Sequence, residues 1–130
     1  MTTTFKEASI YYTSEGEGNP IVLLHGFLES GEIWESFIAE FGKRRQIINI
    51  DLPGHGKSDV ISEEHSMELM AEAVLHVLQE LKLEKVDLLG HSMGGYVALA
   101  FLEKYPDLVE KIVLLNSTPE ADSEERKKNR

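Results

Sequence analysis

The fold is decided by residues 86–95, which read Val86-Asp87-Leu88-Leu89-Gly90-His91-Ser92-Met93-Gly94-Gly95. The apolar run that opens this stretch is typical of a strand covered on both faces. An apolar segment, Tyr96 to Leu102, follows it and predicts a largely buried helix. The pentapeptide between them has the form Gly-x-Ser-x-Gly. At a strand-to-helix junction this pattern predicts a sharp turn that strains the backbone of Ser92 and lifts its hydroxyl clear of the sheet.

The same alternation of strand and helix extends through the rest of the chain. Further buried strands are predicted at Ile21–Leu24, Gln46–Ile50 and Ile112–Leu115, with edge β structure over 2–13. Apolar residues recur at helical spacing over 33–41 and 67–81, and Ser62 is the predicted N-cap of the second helix. Such alternation predicts an α/β fold, a doubly wound and mostly parallel sheet with helices on both faces.

Composition excludes several classes of function. The chain has 23 acidic and 13 basic residues, a net charge of −10, so neither nucleic acid nor a membrane is expected as a partner. It has no cysteine, which excludes disulfides, thiolate metal sites and a cysteine nucleophile. No signal pattern opens the sequence, and the longest apolar run is too short to span a bilayer, so a cytoplasmic location is expected.

The turn at Ser92 also predicts where an oxyanion would bind. The backbone N–H of Met93 lies at the start of a helix, whose positive end points at the serine. A second donor is expected just after the strand that ends at Leu24, which nominates the N–H of Phe27. His25 lies beside this position, but a histidine next to a tight glycine turn is expected to hydrogen-bond the local backbone and not to act as a base.

Three motifs together resemble the α/β-hydrolase superfamily, especially its small esterase and thioesterase-like members. They are His25-Gly26-Phe27, the run from Asp51 to Ser58, and Gly90 to Gly95, and the resemblance covers the chain from about Gly16 to Thr118. It implies a substrate pocket near His25, Gly26, Trp34 and His91, although core packing explains Trp34 equally well. It implies a structural role for Asp51 and His55, which shape a loop. Residues 1–118 would form the N-terminal part of the core, and 119–130 would begin a lid.

The sequence departs from this family in one decisive respect. The family order is nucleophile, acid, histidine, yet no histidine follows His91, which should itself point away from Ser92. Glu120 and Asp122 are only distant candidates for the acid. The resemblance therefore implies an incomplete core that lacks the last strands and the lid, and the basic terminus suggests a proteolytic cut. Alone, the chain should be inactive, and its 112–115 strand edge should self-associate or bind the missing C-terminal part.

The expected activity, which belongs to the intact protein, is hydrolysis of a carboxylic ester or thioester through an acyl-Ser92 intermediate, with no metal or organic cofactor. The resemblance also admits carbon–carbon bond hydrolases, lyases and perhydrolases. Serine at position 92 argues against relatives that use an aspartate nucleophile, such as haloalkane dehalogenases and most epoxide hydrolases. A different class of hypothesis is a non-catalytic fragment or binding half-domain.

Overall fold

A six-stranded sheet organises the computed structural model, which describes residues 1–27, 29–42, 44–61 and 66–115. The strands are β1 (Thr2–Phe5), β2 (Ala8–Glu15), β3 (Pro20–Leu24), β4 (Gln46–Ile50), β5 (Val86–His91) and β6 (Val109–Leu115). The helices are α1 (Glu35–Phe41), α2 (Met67–Glu80) and α3 (Met93–Lys104), with short 3₁₀ turns at Gly31–Trp34 and Pro106–Leu108. The predicted alternation of strand and helix is confirmed.

The strand order is β1-β2-β4-β3-β5-β6. The β1–β2 and β2–β4 pairs are antiparallel, whereas β4–β3, β3–β5 and β5–β6 are parallel. Strands β1 and β2 are joined by a tight turn, which makes them antiparallel, and β3 follows β2 after the short segment 16–19. Strands β4, β5 and β6 are each reached through a helix. This is the mostly parallel sheet that the sequence predicts.

Two apolar clusters cover the two faces of the sheet. Alternate residues of β3, including Val22 and Leu24, join α2 and α3 on one face. The residues between them, including Leu23, pack on the other face with Trp34 and the α1 side chains Phe37 and Ile38. Because successive strand residues point to opposite faces, a strand buried on both must be apolar throughout. Helices therefore lie on both faces, as expected.

Two predictions about the helices are wrong in detail. Helix α2 begins at Met67, and its N-cap is Ser66, whose hydroxyl accepts from the Leu69 N–H at 3.0 Å. The predicted cap, Ser62, lies outside the described residues. Helix α3 is not buried all round, since Tyr96 is 46% exposed and Leu99 37% exposed. Helix α3 packs on the sheet, on α2 and on the 3₁₀ turn Pro106–Leu108, and these two side chains stay partly in solvent.

The proposed boundary between residues 118 and 119, and the lid segment after it, lie outside the described residues. Within the described ranges, no helix is both long enough and apolar enough to cross a membrane.

Candidate active site

The site lies where the paths of two neighbouring strands diverge. Strands β3 and β5 are parallel partners, with Leu24 paired to Gly90, so both end at the same edge of the sheet. The chain leaves β3 toward α1 on one face and leaves β5 toward α3 on the other. A crevice opens at such a switch point, and ligands of open α/β sheets bind there. The loop after Leu24 and the turn at Ser92 therefore both lie at this switch point, which is called the crevice below.

Ser92 has the strained backbone that its sequence context predicts. Its φ and ψ are 56° and −115°, values that cost a non-glycine residue about 1–3 kcal/mol. Two hydrogen bonds hold it there: its N–H donates to the Leu115 carbonyl at 3.1 Å, and its carbonyl accepts from the Gly95 N–H at 2.8 Å. The side chain is partly exposed, and it caps no N–H of α3.

Glycines 90 and 94 allow this turn because each touches backbone directly. A Cβ on Gly90 would lie 2.5 Å from the Gly94 carbonyl oxygen. A Cβ on Gly94 would collide with the carbonyls of Leu24 and His25. Real Cβ atoms do not approach backbone this closely, so a side chain at either position would push strand and helix apart. The close approach inferred from the Gly-x-Ser-x-Gly pattern is confirmed.

The two predicted oxyanion donors flank the crevice. Met93 is the first residue of α3, and Phe27 lies on the loop after β3. Within the described part of the chain, neither N–H donates a hydrogen bond to another residue. The Phe27 side chain is 65% exposed and meets the His55 ring edge-on at 5.8 Å. Among the described residues, therefore, neither N–H has a protein acceptor, and their role as oxyanion donors stays a prediction.

His25 is a buried scaffold residue. The Leu52 N–H donates to its Nε2 at 2.9 Å, so that nitrogen carries no proton, and Nδ1 must donate to the Gly26 carbonyl at 2.8 Å. Burial lowers the pKa of His25 and is the largest effect on it. The predicted bond to local backbone is confirmed. Its side chain has no exposed surface, so the expected place in the pocket wall is wrong for the imidazole itself.

The His91 side chain contacts Glu29 and Trp34, and its expected direction away from Ser92 stays a prediction. Its Nδ1 lies 3.0 Å from the Glu29 Oε1, and its ring meets the buried Trp34 edge-on at 6.5 Å. Trp34 belongs to the cluster on the α1 face, which supports the core interpretation of that residue. Glu29 was not predicted as a site residue. Its position three residues after Gly26 could have indicated its contact with that turn, since its carboxylate accepts the Gly26 N–H at 2.8 Å.

The loop that begins at Asp51 is held by its own polar groups. The Asp51 carboxylate accepts the N–H of Gly31 at 2.7 Å and that of Lys57 at 2.9 Å. His55 Nδ1 lies 3.0 Å from the Pro53 carbonyl, which it can reach only as a donor. These contacts confirm the structural roles inferred for Asp51 and His55.

The described residues do not bring a base to Ser92. Of the four described histidines, His25, His55 and His91 make the contacts given above, and His76 stacks on Phe5 at 5.7 Å. His65 and the two distant acid candidates, Glu120 and Asp122, lie outside the described residues. In the ranges that the structure describes, no three His, Asp or Glu side chains are grouped as a metal site requires.

The chain matches a known protein family and resembles known enzymes in sequence. Residues 19–129 match the profile of the family described as alpha/beta hydrolase fold. The (E)-2-((N-methylformamido)methylene)succinate hydrolase of Acinetobacter baylyi is 34% identical over 106 residues, which cover 82% of this chain and 40% of that protein.

Two solved structures have the same fold. An N-acyl homoserine lactone degrading enzyme matches with a TM-score of 0.86 and 34% identity, over 91% of this chain and 46% of that one. An epoxide hydrolase without ligand matches with a TM-score of 0.84 and 31% identity, over 88% of this chain and 40% of that one. The chain thus spans less than half the length of each of these three proteins.

Proposed function

The chain belongs to the α/β-hydrolase family, and on that premise we propose that the full-length protein hydrolyses a carboxylic ester or thioester through an acyl-Ser92 intermediate. The observation that carries the proposal is the strained serine at the β5–α3 turn, beside the loop after β3. Strain at an uncapped, partly exposed serine is typical of a position selected for chemistry and not for stability.

The proposed mechanism uses the backbone for charge stabilisation. The Ser92 hydroxyl attacks the substrate carbonyl, and the N–H groups of Met93 and Phe27 bind the oxygen as it becomes negative. The N-terminal end of α3 adds its positive dipole at the same place. One such donor contributes about 10²–10³-fold to turnover. A histidine and an acid outside the described residues would activate the serine and protonate the leaving group.

The residue at position 92 favours acyl transfer over the reactions of relatives that use an aspartate nucleophile, such as most epoxide hydrolases. The chain is similar to both a lactone-degrading enzyme and an epoxide hydrolase. Because the sequence identities, 34% and 31%, are nearly equal, similarity alone does not decide which of the two reactions this protein catalyses. A serine hydroxyl, once deprotonated by a histidine, forms an ester with a carbonyl substrate. A lactone is itself a cyclic ester, so the lactone-degrading neighbour is consistent with this class of substrate.

The test is a Ser92→Ala variant of the full-length protein, assayed with short-chain p-nitrophenyl esters and with acyl thioesters. We expect turnover to fall to what binding and the oxyanion donors alone provide, ~10³–10⁴-fold over water. Ser36→Ala is the matched control, because Ser36 is exposed on α1. A fluorophosphonate should label the wild type at Ser92, as located by mass spectrometry.

Near wild-type turnover by Ser92→Ala would remove the serine as nucleophile. The 130-residue chain should also be tested with the fluorophosphonate, because no histidine follows His91 in it. Without a positioned imidazole a serine is a weak nucleophile, so this chain should react slowly with the fluorophosphonate. Labelling at the rate of the full-length protein would show that activation comes from within these residues, contrary to the proposed mechanism.

A further inference from the structure

The Glu29 carboxylate joins the two segments that border the crevice. Its Oε1 accepts the Gly26 N–H at 2.8 Å and lies 3.0 Å from the His91 Nδ1. A carboxylate oxygen only accepts, so the Nδ1 of His91 carries the proton of this contact. The pair is partly buried, with 33% of the Glu29 side chain and 14% of the His91 side chain exposed.

The surrounding packing holds this contact in place. A Cβ on Gly26 would lie 2.6 Å from the Glu29 Oε1 and 3.2 Å from the His91 Nδ1, so glycine alone leaves room for both. The Glu29 N–H donates back to the Gly26 carbonyl at 3.1 Å, which closes a tight turn. On its other side the His91 ring rests edge-on against Trp34. The Glu29 backbone and the His91 ring are thus each held by a second contact.

We infer that Glu29 is a positioning residue that sets the distance between the oxyanion donor and the nucleophile. Its two partners are the neighbours of the reacting groups, since Gly26 precedes Phe27 and His91 precedes Ser92. A single oxygen therefore ties the loop after β3 to the turn after β5. This role rests on the proposed function, because it matters for turnover only if Ser92 and the Phe27 N–H act together.

The length of the side chain, and not its charge, determines whether the oxygen reaches both partners. Glu29→Gln keeps an acceptor oxygen at the same reach and should retain turnover within about threefold. Glu29→Asp keeps the charge but withdraws the oxygen by one methylene. Glu29→Asp and Glu29→Ala should each lower kcat by roughly 10-fold or more, part of the ~10²–10³-fold effect of an oxyanion donor. KM should stay within about twofold, because the loss is of transition-state stabilisation.

The experiment measures ester turnover of the full-length protein for these three variants. Amide hydrogen exchange at Gly26 is measured on the same samples. Glu40→Ala is the matched control, an exposed glutamate on α1. Faster Gly26 exchange and lower kcat in the Asp and Ala variants, with Gln and the control near wild type, is the expected result. Wild-type kcat in Glu29→Asp, or a loss in Glu29→Gln as large as in Glu29→Ala, would overturn the inference.

Failure of the proposed function has a different signature. If the wild type hydrolyses no ester or thioester, the proposed function fails, and the exchange data alone decide whether Glu29 holds the loop. Unchanged Gly26 exchange in Glu29→Ala would then overturn the inference, and faster exchange would support it.

Discussion

Adding one methyl group to Gly94 should separate β3 from α3 and disturb the turn between them. The new Cβ would press on the carbonyls of Leu24 and His25, which are backbone groups within or beside a central strand. The neighbouring Gly95 provides a matched control. A Cβ there would lie 3.3 Å from the Leu114 Cδ2, the flexible end of a side chain, and 3.7 Å from the Gly90 carbonyl oxygen, an ordinary contact distance.

The expected magnitudes follow from these two environments. Overpacking costs about 1–3 kcal/mol, and the upper end applies at Gly94 because the strand backbone is held by pairing on both sides. Replacing glycine by alanine in a helix returns at most about 1 kcal/mol. Gly94→Ala should therefore lower the free energy of unfolding by about 2 kcal/mol. Gly95→Ala should change it by roughly 0 to +1 kcal/mol, because the Leu114 methyl can move aside.

Urea unfolding of both full-length variants, followed by circular dichroism and by Trp34 fluorescence, gives the two free energies. Gly94→Ala should also lower kcat, because the same displacement moves Ser92 relative to the loop after β3. Equal stability of the two variants would refute the reasoning, since it would mean that the backbone at Leu24 yields as easily as a leucine methyl group.

Two further predictions concern pH and association. The pKa of His25 is lowered by burial, so the unfolded chain binds more protons below the ordinary value of 6.5, and stability should fall as the pH drops through that value. The free energy of unfolding should fall by at most about 1.4 kcal/mol per pH unit, and by less in His25→Asn. Unfolding free energies of the wild type and His25→Asn that change equally with pH would contradict this prediction. Strand β6 is an edge strand of the described sheet with Val113 47% exposed, so the purified 130-residue chain should self-associate in light scattering. A monodisperse monomer with no bound companion would refute this second prediction.

The sequence predicts the central strands well because they are short, continuous apolar runs, the pattern of a strand that is buried on both faces. Ile21–Leu24 and Val86–Leu89 must be covered on both faces, and that requirement alone places helices on both sides. Helix ends are less predictable. Two serines, Ser62 and Ser66, could each cap α2, and which one does depends on where the preceding loop leaves the sheet. The exposure of Tyr96 likewise depends on neighbours that its own pattern does not specify.

Some features of the candidate site could likewise be predicted from the sequence, and others could not. The strain at Ser92 could be predicted because it depends on a local pattern, two glycines around a serine at a strand end. The role of Glu29 could not, because His91 is 62 positions away, and only the register of β3 against β5 brings the two together. His25 is intermediate. Its bond to Gly26 is local and was predictable, whereas its acceptance of the Leu52 N–H requires the position of β4.

The hydrogen bonds around Ser92 link the edge strand to the chemistry. Holding a non-glycine residue at positive φ costs about 1–3 kcal/mol, and each of the two bonds at Ser92 contributes about 1 kcal/mol. In one of them the acceptor is the carbonyl of Leu115, the last residue of β6. That part of the stabilisation therefore depends on β6 staying paired with β5 in the register that sets Leu115 beside His91. A contact that covers or displaces β6 would thus alter the geometry of the nucleophile without touching the crevice.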